Sequence, residues 1–435
     1  MAEFSPMMQH YLDTKNKYKD SILFYRLGDF YEMFFDDAIT VSRELELTLT
    51  GKDCGQEERA PMCGIPYHAA DNYIAKLIGK GYKVAICEQL EDPKQAKGIV
   101  KRDVIRVVTP GTVMESNLLE EKKNNYIMSI FKTGIFFGIA ICDISTGDFY
   151  ASEIKDTNNF LKLLDEISRF SPAEIIANDM MTSSLQEIAK IKERFDLYIS
   201  KQDESNFIEE FDNLELNYDF ISEKNEKIKN LKEKAVMVCA INGLLRYLND
   251  TQKTKLDHIH RIKVYETTKY MALDVNARRN LELIEKMRDK TKKGTLLWVL
   301  DKTLTSMGGR LLRRWINDPL IDSSEINKRL EAVKELKENI ILKGEIIENL
   351  KKIYDIERLA AKISYGSANG RDLISLKNSA KQLPEIKKIL SNVNSTYLTG
   401  LYEELDILQD IYELIEKSIV DEPPITIKEG ELIKL

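Results

Sequence analysis

No apolar run in this sequence approaches the roughly 18 residues that a membrane-spanning helix requires. The amino terminus, MAEFSPMMQHYLDTKNK, has neither the basic start nor the apolar centre of a secretory signal. Together these predict a soluble, cytoplasmic protein. Cysteine is scarce: Cys54, Cys63, Cys87, Cys142 and Cys239 are scattered through 435 residues, which predicts free thiols in a reducing compartment. Cys54, Cys63, His68 and Cys87 lack the close ligand pairs of zinc modules, so they read as small buried hydrophobes and a structural loop histidine, with no metal. The phosphate loop G-x-x-x-x-G-K-[ST] is absent, so nothing in the chain cradles a nucleotide in that way. Net basic charge is missing too. The formal charge is −7.

The distribution of charge says more than its sum. Lys76 to Arg106 holds eight Lys/Arg against four Asp/Glu, and Asn276 to Ile316 holds eleven against four. Two basic stretches in an acidic chain suit a localised phosphate-facing surface. The second also reads as a structural helix, with Leu312 and Trp315 buried at helical spacing and the arginine pairs turned outward.

At about 150 residues per domain the length predicts three domains, and 43% hydrophobic with 31% charged residues can supply their cores and surfaces. Residues 1–112 read as an α/β unit. Ser5-Pro6 starts a helix, SILFYRL is a strand running into Gly28, and DDAITVSRELEL is helical. In GIPYHAADNYIAKLIGKG, Gly64 and Pro66 shape a turn before an amphipathic helix that stops at Gly79 and Gly81. A charged linker, Met114 to Asn125, follows. Residues 125–248 read as a second α/β domain, opening with a meander broken at Thr133-Gly134 and Thr146-Gly147 and including an AEIIAN strand. A second joint is expected near Asn249 to Lys255. Residues 254–435 carry long helical patterns until DEPPITIKEGELIKL, where two prolines and strand-like alternation suggest that the chain is the amino-terminal part of a longer protein.

The stretch LGDFYEMFFDD, residues 27–37, poses a separate question. Strand alternation aims Phe30 and Glu32 to one face and Tyr31 to the other, and a buried aromatic does not favour a carboxylate neighbour. FYRLGDFYEMFFDDA, PMCGIPYHAADNYIAKLI with VAICEQLEDP and RVVTPGT, and ALDVNARRNLEL with TSMGGRLLRRWINDPL together resemble the bacterial MutS family of DNA mismatch-repair proteins. The resemblance spans the whole chain in order. It implies a mismatch-recognition domain, an RNase H-like connector and the first part of a helical core with lever arms. The family's DNA clamp and ABC-type ATPase would then lie beyond this chain, and with them ATP and Mg²⁺, leaving no catalytic residue here.

On that resemblance Phe30 enters the minor groove and stacks on a mispaired base; such a base can turn an unsatisfied ring N–H toward Glu32, and alternation packs Tyr31 inward. A carboxylate also repels phosphates and so weakens binding to ordinary duplex; in protonated form it would donate to a ring nitrogen. Arg26, Lys76 and Arg102 are the candidates for backbone or groove contact. The implied partners are double-stranded DNA with mismatches or small loops, a second copy in the full-length protein, and MutL on the connector. No membrane is implied, and the protein would join the bacterial nucleoid when bound. Two other readings stay open at this point. An RNase H-like nuclease would use metals held by acids such as Asp143, Asp148 and Asp165. A scaffold would bind DNA or partners without discriminating mismatches.

Overall fold

The chain is described by a computed structural model covering residues 4–91, 100–157, 160–195, 197–211, 214, 217–222, 231–424 and 430–434. The first sheet contains β1 (Ile22–Leu27), β2 (Phe30–Phe34), β3 (Thr50–Lys52), β4 (Ala60–Pro66), β5 (Val84–Gln89) and β6 (Arg102–Val108), in the order β3-β4-β2-β1-β5-β6. Only the β1–β5 pair is parallel. Alternation along the central strands feeds two cores. Ile22, Phe24, Tyr31 and Met33 meet the helices Phe35–Leu45 and Ala70–Gly79 on one face. Leu23, Tyr25 and Phe34 meet Met8 and Tyr11 of the helix Pro6–Lys17 on the other. That helix starts as expected, with Ser5 capping Met8 N–H and Pro6 in the first turn.

The second sheet contains β7 (Ile127–Thr133), β8 (Phe136–Asp143), β9 (Asp148–Lys155), β10 (Glu174–Ala177), β11 (Tyr198–Lys201), β12 (Asp219–Ser222) and β13 (Arg261–Val264). Its order is β11-β10-β7-β8-β9-β13-β12. The meander β7–β8–β9 is antiparallel and is continued by parallel β10 and β11, an RNase H-like arrangement. The helix Ala235–Gln252 covers one face and Leu161–Phe170 the other. Residue 248, the expected end of this domain, falls inside the first of these helices, and β13 joins the sheet after it.

From residue 275 the structure is helical, but the helices are shorter than the periodicity suggests. Leu296–Leu300 and Ser306–Asn317 are separate because Asp301 accepts from Thr303 N–H (3.2 Å) and Oγ1 (2.6 Å), and Thr305 caps the next helix. Asn339 and Asp355 likewise punctuate the long run that follows, opening Ile340–Leu350 and Ile356–Tyr365. Of the strand-like tail, residues 425–429 lie outside the described residues, and Ile433 makes an antiparallel bridge to Ile419.

Two expectations are corrected here. The Met114–Asn125 stretch is tied down rather than loose: Arg106 pairs with Glu115, Arg310 donates to Glu121 O at 2.9 Å, and Arg358 donates to Glu120 O and Lys123 O. The arginines of the second basic stretch do not all face outward. Arg310 is buried, forking onto Asp355 with two 2.7 Å contacts and reaching Glu357 at 2.6 Å, while Arg313 and Arg314 are half-buried. Leu312 and Trp315 are only half-buried, Trp315 lying under the Arg329 guanidinium at 3.7 Å. Helical spacing cannot reveal that a neighbouring helix supplies acids for a buried guanidinium.

Arg310→Ala strands carboxylates that the guanidinium neutralised and should cost about 3 kcal/mol, the low end for a broken buried pair because Glu357 is half-exposed. Trp315→Ala should cost less, about 1–2 kcal/mol, because the ring is not a full core truncation. Urea denaturation of the two variants checks the order, and Trp315→Ala emerging as the costlier change would contradict it.

Candidate nucleic-acid interface

The β1–β2 hairpin closes through a two-residue turn, with Leu27 opposite Phe30 and Gly28 at φ +58°. Positive φ at the first turn position favours glycine, so Gly28 fixes where β2 begins and makes Phe30 its first residue. Tyr31 and Met33 then enter the core, as alternation expects, and Phe30, Glu32 and Phe34 share the other face. Along that face burial rises steeply. Phe34 is sealed by Tyr11, with ring centroids 4.9 Å apart and its N–H donating to the Tyr11 hydroxyl at 3.2 Å. No such cover reaches Phe30, which is 47% exposed. The aromatic cluster is therefore split between a core ring and a presented ring.

Glu32 is half-buried beside it. Lys52, reaching from edge strand β3, places its ammonium 2.5 Å from Glu32 Oε2 and 5.7 Å from the centre of the Phe34 ring. The pair is partly solvated, with its lysine end the more open to water: side-chain exposure is 32% for Lys52 against 16% for Glu32. Gly64 and Pro66, expected to shape a turn, instead lie within β4 opposite Glu32 and Phe30. A Cβ at Gly64 would sit 3.6 Å from Glu32 Cγ and 4.0 Å from Phe30 Cδ1, so glycine leaves that face bare around the pair. Tyr67, 39% exposed, completes the tip: its N–H donates to Asp29 O at 3.0 Å.

The three basic candidates are placed differently from one another. Arg26 stacks on Tyr67, 3.6 Å from the ring centre, donates through Nε to Gly28 O at 2.6 Å and lies 3.3 Å from Glu88. Tyr31 donates to the same Glu88 carboxylate. Arg102 is turned inward, its guanidinium spent on Arg26 O at 2.8 Å and Val100 O at 2.9 Å. Both arginines brace the tip's backbone. Lys76 is exposed on its helix near Tyr73.

Elsewhere the chemistry is quiet. All five thiols are buried, and burial pushes Cys63 up to about 11 and Cys87 up to about 12, away from the thiolate that metal binding needs. His68 is exposed beside Tyr67. Among the described residues no group of three His, Cys, Asp or Glu could hold a metal ion. The nuclease acids are occupied. Asp143 is fully buried and accepts from Ser145 N–H and Oγ, Asn124 and Asn125 N–H; burial holds its carboxyl above the usual range. Asp148 accepts from Tyr150 and lies 3.5 Å from Lys263, while Asp165 accepts from Val275 N–H. No helix among the described residues is long and apolar enough to cross a membrane.

Family profiles match the chain in three consecutive blocks: MutS domain I over residues 5–117, MutS domain II over 125–260 and MutS domain III over 276–435. The chain belongs to the MutS family. Over its whole length it is 56% identical to the DNA mismatch repair protein MutS of Ruminiclostridium cellulolyticum and 54% identical to that of Acetivibrio thermocellus, covering 49% of each. It is 52% identical to the protein of the same name from Lachnoclostridium phytofermentans, covering 46% of it. The chain thus spans about half the length of the MutS relatives it matches.

Within this MutS chain, sequence reasoning missed Lys52 and Tyr67. The signal for Tyr67 was an aromatic directly after Pro66, where a strand gives way to a helical turn. Lys52 had no local signal, since its partner lies two strands away. The split between the aromatic rings is measurable in urea denaturation. Phe34→Ala should cost about 3–5 kcal/mol as a core truncation, and Phe30→Ala should stay within about 0.5 kcal/mol of the parent. A large stability loss at Phe30 would place it in the core instead.

Proposed function

We propose that the first domain reads mispaired or unpaired bases in duplex DNA, with Phe30 as a minor-groove wedge and Glu32 as the contact to the displaced base. One observation carries this reading: a half-exposed aromatic and a carboxylate share one face at a tip whose backbone is fixed by a glycine turn and braced by two arginines. Wedging an apolar ring between base steps costs a few kcal/mol of unstacking. The cost is least where the base is already poorly paired. Stacking on the ring returns about 1–3 kcal/mol per base, whatever the base. The ring therefore senses deformability rather than sequence. Glu32 adds a second condition, because a mispaired base can present a ring N–H that a paired base keeps engaged.

The remaining roles belong to the full-length protein. It would act as a homodimer in the bacterial cytoplasm and join the nucleoid when bound to DNA. The connector would dock a MutL partner, and ATP with Mg²⁺ would be used outside this chain, whose own role is binding rather than catalysis. Arg26 and Arg102 would act by positioning, and Lys76 by touching phosphate.

The test is titration of matched and one-mismatch duplexes at fixed salt. Phe30→Ala should remove roughly 5- to 150-fold of discrimination, the equivalent of about 1–3 kcal/mol of stacking. Glu32→Ala removes a repelled charge and releases Lys52, so matched duplex should bind more tightly while the mismatch gains less. A Glu32→Ala protein with unchanged matched affinity and unchanged ratio would reduce Glu32 to a solvated acid.

A further inference from the structure

We infer that Lys52 is a specificity-determining residue that trades partners: it holds Glu32 while the site is empty or on matched DNA, and passes to a phosphate when Glu32 engages a mispaired base. This rests on the reading of Phe30 and Glu32 given above. The 2.5 Å contact is the only ion pair or hydrogen bond Glu32 makes among the described residues, and it closes beside the exposed ring. Lys52 sits on the sheet's edge strand with its side chain 32% exposed, against 16% for Glu32, so the lysine is the partner freer to leave. Its four-carbon stem can swing while its ammonium exchanges one anionic oxygen for another. Arg26 and Arg102 cannot substitute, because both guanidiniums are committed to backbone carbonyls and neighbouring side chains.

The exchange has an electrostatic signature. On matched duplex the closed pair is neutral and releases no counterion. At a mismatch Glu32 turns to the base, and the freed lysine neutralises one phosphate. Each such contact steepens the dependence of log affinity on log salt by about 0.9. The unmutated protein should therefore show a steeper salt dependence on mismatched than on matched duplex, by up to about that amount.

Affinities of the full-length protein for both duplexes between about 50 and 200 mM salt test the exchange. Lys52→Met should lower the excess slope by about 0.9 and reduce the mismatch-to-match ratio severalfold, while Lys52→Arg keeps most of both. An excess slope that survives Lys52→Met would overturn the inference. So would an equal loss of affinity on both duplexes, which would make Lys52 a general phosphate contact. Phe30→Ala, measured alongside, separates the two ideas. If it keeps full discrimination the wedge reading fails, whatever Lys52 does; if it loses discrimination while Lys52→Met behaves as the parent, only the exchange fails.

Discussion

The carboxylate of Glu174 is fully buried where the first two domains meet, and it is satisfied from both sides. Thr109 Oγ1 donates to it at 2.5 Å and Gly111 N–H at 3.2 Å from the first domain's exit strand and loop, while Tyr247 donates at 2.7 Å from the second domain's long helix. Lys83, at the start of the parallel β1–β5 pair, stands 3.9 Å away and supplies the opposite charge. A buried acid is tolerable only when such partners replace its water, so each element must stay in place for the others to do so. The approach is close enough to dictate sequence. A Cβ at Gly111 would fall 2.7 Å from Ile127 Cβ and 3.2 Å from Glu174 Cβ.

The same principle recurs at the next junction. Arg169 forks onto Asp318 at 2.7 and 3.0 Å, with Glu166 at 3.3 Å. Burial alone would lower the Arg169 guanidinium, but the two acids outweigh it and hold it above its ordinary value. Arg310 does the equivalent between the linker and the helical region. Buried charges of this kind add little net stability over apolar packing, yet removing one partner is costly. Here they tie the connector, the linker and the helical region to one another. The first domain is thus connected through these contacts to the helical region.

How much of this was legible in the sequence depends on the range of the interaction. The two-residue period of β2 foretold that Tyr31 would point inward and that Phe30 and Glu32 would share a face, because alternation is local. The cap at Ser5-Pro6, the meander and the AEIIAN strand were equally local and equally readable. What escaped was set by partners distant in sequence. Arg102 resembles a phosphate contact until the carbonyl of Arg26 takes its guanidinium. Arg310 resembles a solvated charge until Asp355 and Glu357 arrive from another helix. Gly64 and Pro66 look like turn residues because strand pairing with β2, which overrides that preference, is not written nearby. Charge counts along the chain located basic stretches but could not say which cations were already spent.

That spending bears on the proposed recognition. With Arg26 and Arg102 bracing backbone and Lys52 closed on Glu32, the tip of the first domain offers the duplex little fixed positive charge. A surface rich in uncommitted arginine would grip any duplex through its phosphates and bury the modest stacking signal under sequence-independent affinity. Here the presented group is an uncharged ring, the nearest acid is paired, and the nearest lysine is that acid's partner. Under the proposed reading, each feature would lower attraction to ordinary duplex while leaving the gain at a deformable step intact. Discrimination by about 1–3 kcal/mol of stacking is only useful against such a quiet background. The acidic net charge of the chain, −7, accords with that proposal.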